Sequence, residues 1–478
     1  MAPKNALNAQ NLEALGAKRL AELLIEISDG DAAAKRRLRL ALAGAQSPAE
    51  AARAIRKRIA AISRSRAFVD WQNRRALVED LQTQRRAIVE HVGTADPKEA
   101  LGLMWSFMGL AASVFDRCDD SSGTVIGIFH DGVNDLGRLA ETAGCNAVEL
   151  ADSAYQALLD NRYGQFDHLI AALRGSLGDA GLKHLKQRFI ALSKEPIKRP
   201  EEHERRKIGW SSSGPIYEDE IENRHRASVI HLALRDIADA QGDVEAFMAQ
   251  YDARTRKVPK IAAEISRRLL AAGRAEEALQ IVEAAEHGRT AWPEFEWEDA
   301  RIDALEALGR GEDAQAARWS CFERFLSDRH LREHLKRLPD FDDLEAETKA
   351  LANVEGHKDF LHALWFLTSW PALDRAAKLV LQRPQDLDGN RYEILTPVAE
   401  ALAGKHPLAA TLALRAMIEF TLDHSRSSRY KHAARHLLEC ASLATNIGDF
   451  GKYETHESFL ARIRGNHAKK TSFWSLVT

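Results

Sequence analysis

The chain has only four cysteines, Cys118, Cys145, Cys321 and Cys440, spread through 478 residues with no C-x-x-C pair. That spacing excludes a disulfide scaffold and a finger-type zinc site, and it suits a reducing cytosol. Proline and glycine are also sparse, at 13 and 28 residues. With Ala, Leu, Arg and Glu abundant, the residues favour helices and leave little material for a large sheet. Long apolar runs are missing: stretches such as Ala363-Leu364-Trp365-Phe366-Leu367 fall far below the ~20 residues of a membrane helix. The opening Met1-Ala2-Pro3-Lys4-Asn5 lacks an apolar signal core, so a cytoplasmic location without membrane contact is expected. A formal net charge of −3 provides no global attraction to nucleic acid. No Walker-type G-x-x-x-x-G-K-[ST], no G-x-G-x-x-G after a strand and no kinase signature occurs, so no cofactor is expected and a non-enzymatic role is favoured.

What the chain does have is a phrase stated twice. Ala272-Gly273-Arg274-Ala275-Glu276-Glu277-Ala278 returns 36 residues later as Leu308-Gly309-Arg310-Gly311-Glu312-Asp313-Ala314. Each copy ends one amphipathic helix at a glycine and turns through polar residues. It then opens a second helix with acids in the first turn and a small alanine on the packing face. A looser version, Gly242-Asp243-Val244-Glu245-Ala246, precedes them, so the glycines at 242, 273 and 309 stand 31 and 36 residues apart. Those intervals bracket the ~34 residues of a tetratricopeptide unit.

Helix signals run through the rest of the chain. Leu12, Leu15, Leu20, Leu23 and Leu24 form a stripe ending at Asp29-Gly30, and Ser47-Pro48 reads as an N-cap followed by proline at the first helical position. Thr94-Ala95-Asp96-Pro97 starts a very apolar helix carrying Leu101, Met104 and Phe107. The expected architecture is all-α, an α-solenoid of stacked antiparallel helix pairs that is tetratricopeptide-like in its central part. Five segments are expected: an N-terminal helical domain with a basic surface at 1–193, a linker or irregular loop at 194–226, tetratricopeptide-like repeats at 227–338, an irregular connection at 339–360, and a C-terminal helical-hairpin block at 361–478. In the linker, Gly209-Trp210-Ser211-Ser212-Ser213-Gly214 is not a G-x-S-x-G nucleophile elbow, and neither a strand before it nor a helix directly after it is predicted.

The helix-turn-helix phrases resemble tetratricopeptide repeats in the turn glycine, the Glu-Glu-Ala or Glu-Asp-Ala step and the small residues Ala285, Ala317 and Cys321. Phe115-Asp116-Arg117-Cys118-Asp119-Asp120-Ser121-Ser122-Gly123, Ala271 to Ala278, and Arg429-Tyr430-Lys431-His432-Ala433-Ala434-Arg435-His436-Leu437 together resemble a bacterial all-helical family classed as a domain of unknown function. The C-terminal half is also similar to the helical region of SWIM-type zinc-finger proteins, but the C-x-C…C-x-H ligands of that finger are absent. The resemblance to the helical family carries over no catalytic or binding residue.

Four groups of residues have the composition of a site. Lys35, Arg36, Arg37, Arg39, Arg53, Arg56, Lys57, Arg58, Arg64 and Arg66 enclose a single acid, Glu50, and such a cluster suits phosphate backbones. Phe68 and Trp71 stand only at its edge, so base stacking on single strands is not indicated. Asp116, Asp119, Asp120, His130, Asp131 and Asp135 are of metal-ligating type, but their spacing converges poorly and Asp119, Asp120 and Ser121 stand where N-caps belong. His432, His436 and Cys440 lie at i, i+4 and i+8, where helical drift moves the cysteine off the histidine face. No metal is expected at either group. The fourth group is the outward positions of first helices in the repeats, Glu264, Arg267, Arg268, Arg301, Asp303 and Glu306, expected to line a groove.

The function these features favour is a protein–protein interaction scaffold holding a protein or peptide partner in a solenoid groove. A nucleic-acid-associated protein using the Lys35–Arg66 surface is the alternative, with a metal-dependent enzyme behind it.

Overall fold

Ser47 accepts a hydrogen bond from the Glu50 N–H at 3.2 Å and hands the chain to Pro48. The Pro48–Arg64 helix therefore begins where the missing proline N–H leaves nothing unsatisfied. Asp31, Asp96 and Asn146 cap the helices Ala32–Gln46, Pro97–Met108 and Ala147–Leu159 in the same way. In the computed structural model, residues 7–197, 200–201, 203–212, 214–286 and 293–477 are described. About 73% of the protein is helical. Among the described residues the only sheet is one antiparallel hairpin, Lys207–Ser211 with Gly214–Tyr217. No described helix is long and apolar enough to cross a membrane.

The chain divides into two compact units, Met1–Thr255 and Arg256–Thr478. In the first unit, Pro97–Met108 packs on Thr124–Ala143, and Leu169–Lys194 packs on Thr124–Ala143, Ala147–Leu159 and Glu218–Gln241. Met104, Phe107, Phe129, Leu136 and Phe189 are buried in this core, and the Phe107 and Phe129 rings stack with centroids 5.6 Å apart. Burying each such side chain stabilises the fold by about 2–3 kcal/mol. Close helix contact depends on Gly137, where any Cβ would run into the backbone carbonyl of Ala172. The leucine stripe expected near the start is split over two helices, Leu12 on Ala9–Glu13 and Leu20, Leu23 and Leu24 on Gly16–Ser28, whose only buried residue is Ser28; Leu24, Ile25 and Ile27 are exposed.

The second unit is built from hairpins. Pro259–Ala271 packs against both Ala275–Glu283 and Phe295–Ala307, and Phe295–Ala307 packs in turn against Gly311–Phe325. The twice-stated phrase forms the same turn in each copy. Gly273 and Gly309 adopt φ of 74° and 70°, a left-handed conformation that side chains with a Cβ rarely take. The Arg274 N–H bonds the Leu269 carbonyl at 2.8 Å, and the Arg310 N–H bonds that of Leu305 at 2.9 Å, closing two Schellman motifs. Asp243 does the same to Ala238 at 2.9 Å after Gly242. Ala278 and Ala314 are fully buried, so the small residue of each phrase is the point of helix contact. Gly404 has no left-handed φ; its turn closes instead with the His406 N–H on the Leu402 carbonyl at 2.8 Å.

Two segments expected to be irregular contain regular elements. Within 339–360 the chain forms the helix Asp342–Glu355, which opens with Asp342, Asp343 and Glu345 and buries only Ala350, Leu351 and Val354. Three buried positions near one end leave little periodic signal. Within 194–226 lies the strand hairpin, with Gly209–Ser211 on its first strand, and the next helix begins directly at Glu218. Ile208 and Trp210 are both exposed, so neither strand has the buried face that would produce alternation. The hairpin base is held instead by Arg205, which lies 3.8 Å from the Tyr217 ring centroid and bonds Asp219 and Glu220 at 3.2 and 2.5 Å. Ser213 lies outside the described residues.

Candidate functional site

The basic stretch lies on two successive helices, Ala32–Gln46 and Pro48–Arg64, and on the residues just after them. Much of its charge is already matched. Lys35 bonds Asp29 at 2.7 Å, Arg53 reaches Glu50 at 3.3 Å, Arg56 pairs with Glu99, and Arg58 donates to Asp80 through Nε at 2.8 Å. Arg36, Arg37, Arg39, Lys57, Arg64 and Arg66 have no carboxylate within ion-pair distance among the described residues. Arg36 and Arg37 open onto a cleft of about 900 Å³ shared with Gln84, Arg86 and His91.

The acidic turn is a capping structure. Asp120 accepts the Val125 and Ile126 N–H groups at 2.9 and 2.8 Å, and Asp119 accepts that of Ser121 at 3.0 Å. Asp116 accepts the Tyr163 hydroxyl at 2.6 Å, which together with burial raises the phenol pKa. His130 is hydrogen-bonded through Nε2 to the Gly164 carbonyl at 3.0 Å. Asp135, 2% exposed, is held by Arg85 at 2.7 Å and by Arg138, and Arg85 also reaches Asp131 at 3.2 Å. Only Asp131 and Asp135 thus share a partner, Arg85, and the other four side chains point elsewhere.

His432, His436 and Cys440 are also kept apart. His432 is exposed, whereas His436 and Cys440 are buried on the Tyr430–Ala444 helix. Burial pushes the His436 imidazole down to about 4 and the Cys440 thiol up to about 12. A neutral thiol packed 4.0 Å from the Thr411 carbonyl is a core residue. All four cysteines are free, and no group of three His, Cys, Asp or Glu among the described residues is placed to hold a metal.

The expected groove residues do not share one face: Arg301 stands about half a turn around the Phe295–Ala307 helix from Asp303, towards Glu283. Asp299, Asp303 and Glu306 recur at i, i+4 and i+7 along Phe295–Ala307, so their carboxylates share a face. Asp299 accepts Arg329 at 2.6 Å and His330 at 3.1 Å; Glu306 accepts Arg318 at 2.5 Å and Arg337 at 3.0 Å. Arg318 is only 4% exposed, yet its charge is met. Asp303 lies between these pairs with no hydrogen-bond or ion-pair partner among the described residues. Its pKa is raised by desolvation and by the neighbouring Asp299 and Glu306, against the pull of Arg267 and Arg318. Arg267 is exposed and donates only to the Glu296 carbonyl at 3.3 Å. Arg268 donates to the Glu264 carbonyl at 2.7 Å, the Glu264 carboxylate has no partner among the described residues, and Arg301 stands 3.9 Å from Glu283. The helical spacing of the three acids was legible in sequence. Their partners on and just after Asp328–Leu335 were not, because no local pattern links positions about thirty apart.

The helix-start acids of the repeated phrase face the turn. Glu277 accepts both Nε and Nη2 of Arg274 at 2.7 and 2.6 Å, and Asp313 accepts Arg310 at 2.7 Å. The bond to Arg274 lowers the Glu277 pKa.

The model of a family of unknown function, DUF6880, matches residues 2–476. No curated protein matches the chain.

Proposed function

The chain belongs to the DUF6880 family of unknown function, and from that premise we propose that it is a cytoplasmic interaction scaffold whose second unit binds a basic protein segment. The packing of Pro259–Ala271 on Ala275–Glu283 and Phe295–Ala307, and of Phe295–Ala307 on Gly311–Phe325, supports a tetratricopeptide-like reading in which the first helices of the pairs supply the binding face. One observation carries this reading: among the described residues Asp303 has no partner in a row where Asp299 is bound by Arg329 and His330 and Glu306 by Arg318 and Arg337. A lysine or arginine from a partner would satisfy the one carboxylate whose ionised form is disfavoured by burial and by like charge. The Glu264 carboxylate on the Pro259–Ala271 helix, also without a partner among the described residues, extends the acidic character of that face. Four separate free thiols suit the reducing cytosol in which such a scaffold works.

Affinity capture from native lysate with the wild-type chain and with a Glu264→Lys/Asp303→Lys variant tests the proposal. Basic partners should be retained by the wild type and depleted at least about ten-fold by the variant, the scale of one lost charge-assisted contact. If both proteins retain the same partners, or if only acidic partners are lost, the face is not the binding surface.

A further inference from the structure

A cleft in the first unit lies between Gly16–Ser28, Ala32–Gln46 and Arg74–Ala87, and its volume of about 900 Å³ is in the range of small-molecule sites. Its charges do not balance within the protein. Four acids line it, but Glu79 holds Arg75 at 2.9 Å and Asp80 holds Arg58 at 2.8 Å, both from outside the cleft. Asp31, which also caps its helix by accepting the Ala33 and Ala34 N–H groups, and Glu90 then remain to face the three guanidinium groups of Arg36, Arg37 and Arg86, none of which has an ion-pair partner among the described residues, so positive charge is in excess.

Two buried polar atoms in the wall also have no partner, and they ask for opposite things. The Nε of Arg36 is a donor without an acceptor. Gln84 is 3% exposed; its amide nitrogen donates to Asp80 at 3.3 Å, which leaves its Oε1 as an acceptor without a donor. A buried polar group in that state costs about 1–3 kcal/mol, so it marks a place where a ligand gains by binding. At one end the wall is a π-helical turn, Ile88–Gly93, an irregularity often found at functional sites. That turn presents His91, and Gly44 admits it: a Cβ at position 44 would stand 2.9 Å from the imidazole Cγ.

We propose that this cleft binds a small phosphate ester that also carries hydroxyl or amino donors, such as a sugar phosphate or a nucleoside monophosphate. The guanidinium groups match the charge and the several acceptor oxygens of a phosphate, in the forked geometry that arginine favours. A hydroxyl or amine elsewhere on the same molecule satisfies Gln84 Oε1. Beyond the cleft Arg39, Lys57, Arg64 and Arg66 have no carboxylate partner among the described residues, but the ion-paired Arg53, Arg56 and Arg58 stand between them in sequence, so an extended nucleic acid finds a broken track of free cations.

Isothermal titration of the full chain with AMP, ribose 5-phosphate, inorganic phosphate, adenosine and a 20-nucleotide single strand tests this. Saturable one-to-one binding of AMP or ribose 5-phosphate is expected, at least about ten-fold tighter than inorganic phosphate or adenosine. Which of the two esters binds better identifies the source of the phosphate. Arg37→Gln, an exposed position that leaves folding intact, should weaken binding about ten-fold, Arg36→Gln at least as much, and Arg53→Gln not at all. Absence of binding by both esters, equal affinity for inorganic phosphate, preference for the 20-nucleotide strand, or indifference to both Arg36→Gln and Arg37→Gln overturns the proposal.

Discussion

Glycine does different work in the bundle around Thr124–Ala143 and in the hairpins from Pro259 to Phe325. In the bundle, Gly137 removes a side chain so that the Leu169–Lys194 helix can press its backbone against it. In the hairpins, Gly273 and Gly309 have nothing within 4 Å of where a Cβ would stand; what they supply is the positive φ that ends one helix and aims the next. One role is steric and tertiary, the other conformational and local. The two units differ also in how they bury weak bases. Among the described residues, burial depresses the pKa of His334, His362, His436 and His456 in the second unit, and that of His231 alone in the first.

These contrasts can be broken by measurement. The largest effect should come from Gly137→Ala, which drives a methyl group into a backbone carbonyl that has no rotamer to escape by. About 3 kcal/mol of stability should be lost in urea unfolding, and a loss below that of the turn glycines would show that the two helices slide apart freely. Acid comes next and should strike the second unit first. The folded His436 binds its proton only near pH 4, whereas the unfolded chain does so near the usual value of about 6.5. Stability present above pH 6.5 is therefore lost as pH falls towards 4, by about 2 kcal/mol at pH 5 from this residue alone. His436→Leu should flatten the pH dependence of unfolding between pH 7 and 5, and an unchanged slope would place the proton uptake elsewhere.

Smaller effects separate conformation from charge within the hairpin turn. Gly273→Ala meets no atom but must hold an L residue at positive φ, at a cost of about 1–2 kcal/mol, and Gly309→Ala should cost the same. If the two differ widely by thermal unfolding, the turns are not equivalent. Glu277→Gln breaks the bond of a half-exposed carboxylate to Arg274 and should cost less than either glycine change, by an amount that shrinks in high salt. A salt-independent loss would assign Glu277 a role beyond its ion pair.

Much of the helical framework was legible because its signals are local. Ser47-Pro48, Asp96-Pro97 and the phrase at Gly273 and Gly309 satisfy or terminate backbone groups within a few residues of themselves, and each appears in the fold where the sequence placed it. The helix Asp342–Glu355 and the hairpin at Lys207–Tyr217 escaped notice because neither buries a regular face. The candidate sites were legible as lists of charged residues but not as arrangements. Nothing near Arg58 in the sequence announces that Asp80 will hold it, and nothing near Arg37 announces that no acid will.

Sequence by itself determined that this protein is helical, where most of its helices start and stop, and which alanines sit at helix contacts, since capping, dipole and steric preferences act over one turn. Tertiary structure alone decided which charges are matched. It paired Asp299 and Glu306 with arginines some thirty residues on and gave Asp303 no partner among the described residues; it buried His436 without its proton, and it gathered Arg36, Arg37 and Arg86 around one cleft. Ionic pairing and desolvation depend on distance through space and on the loss of water, and neither is set until the helices have packed.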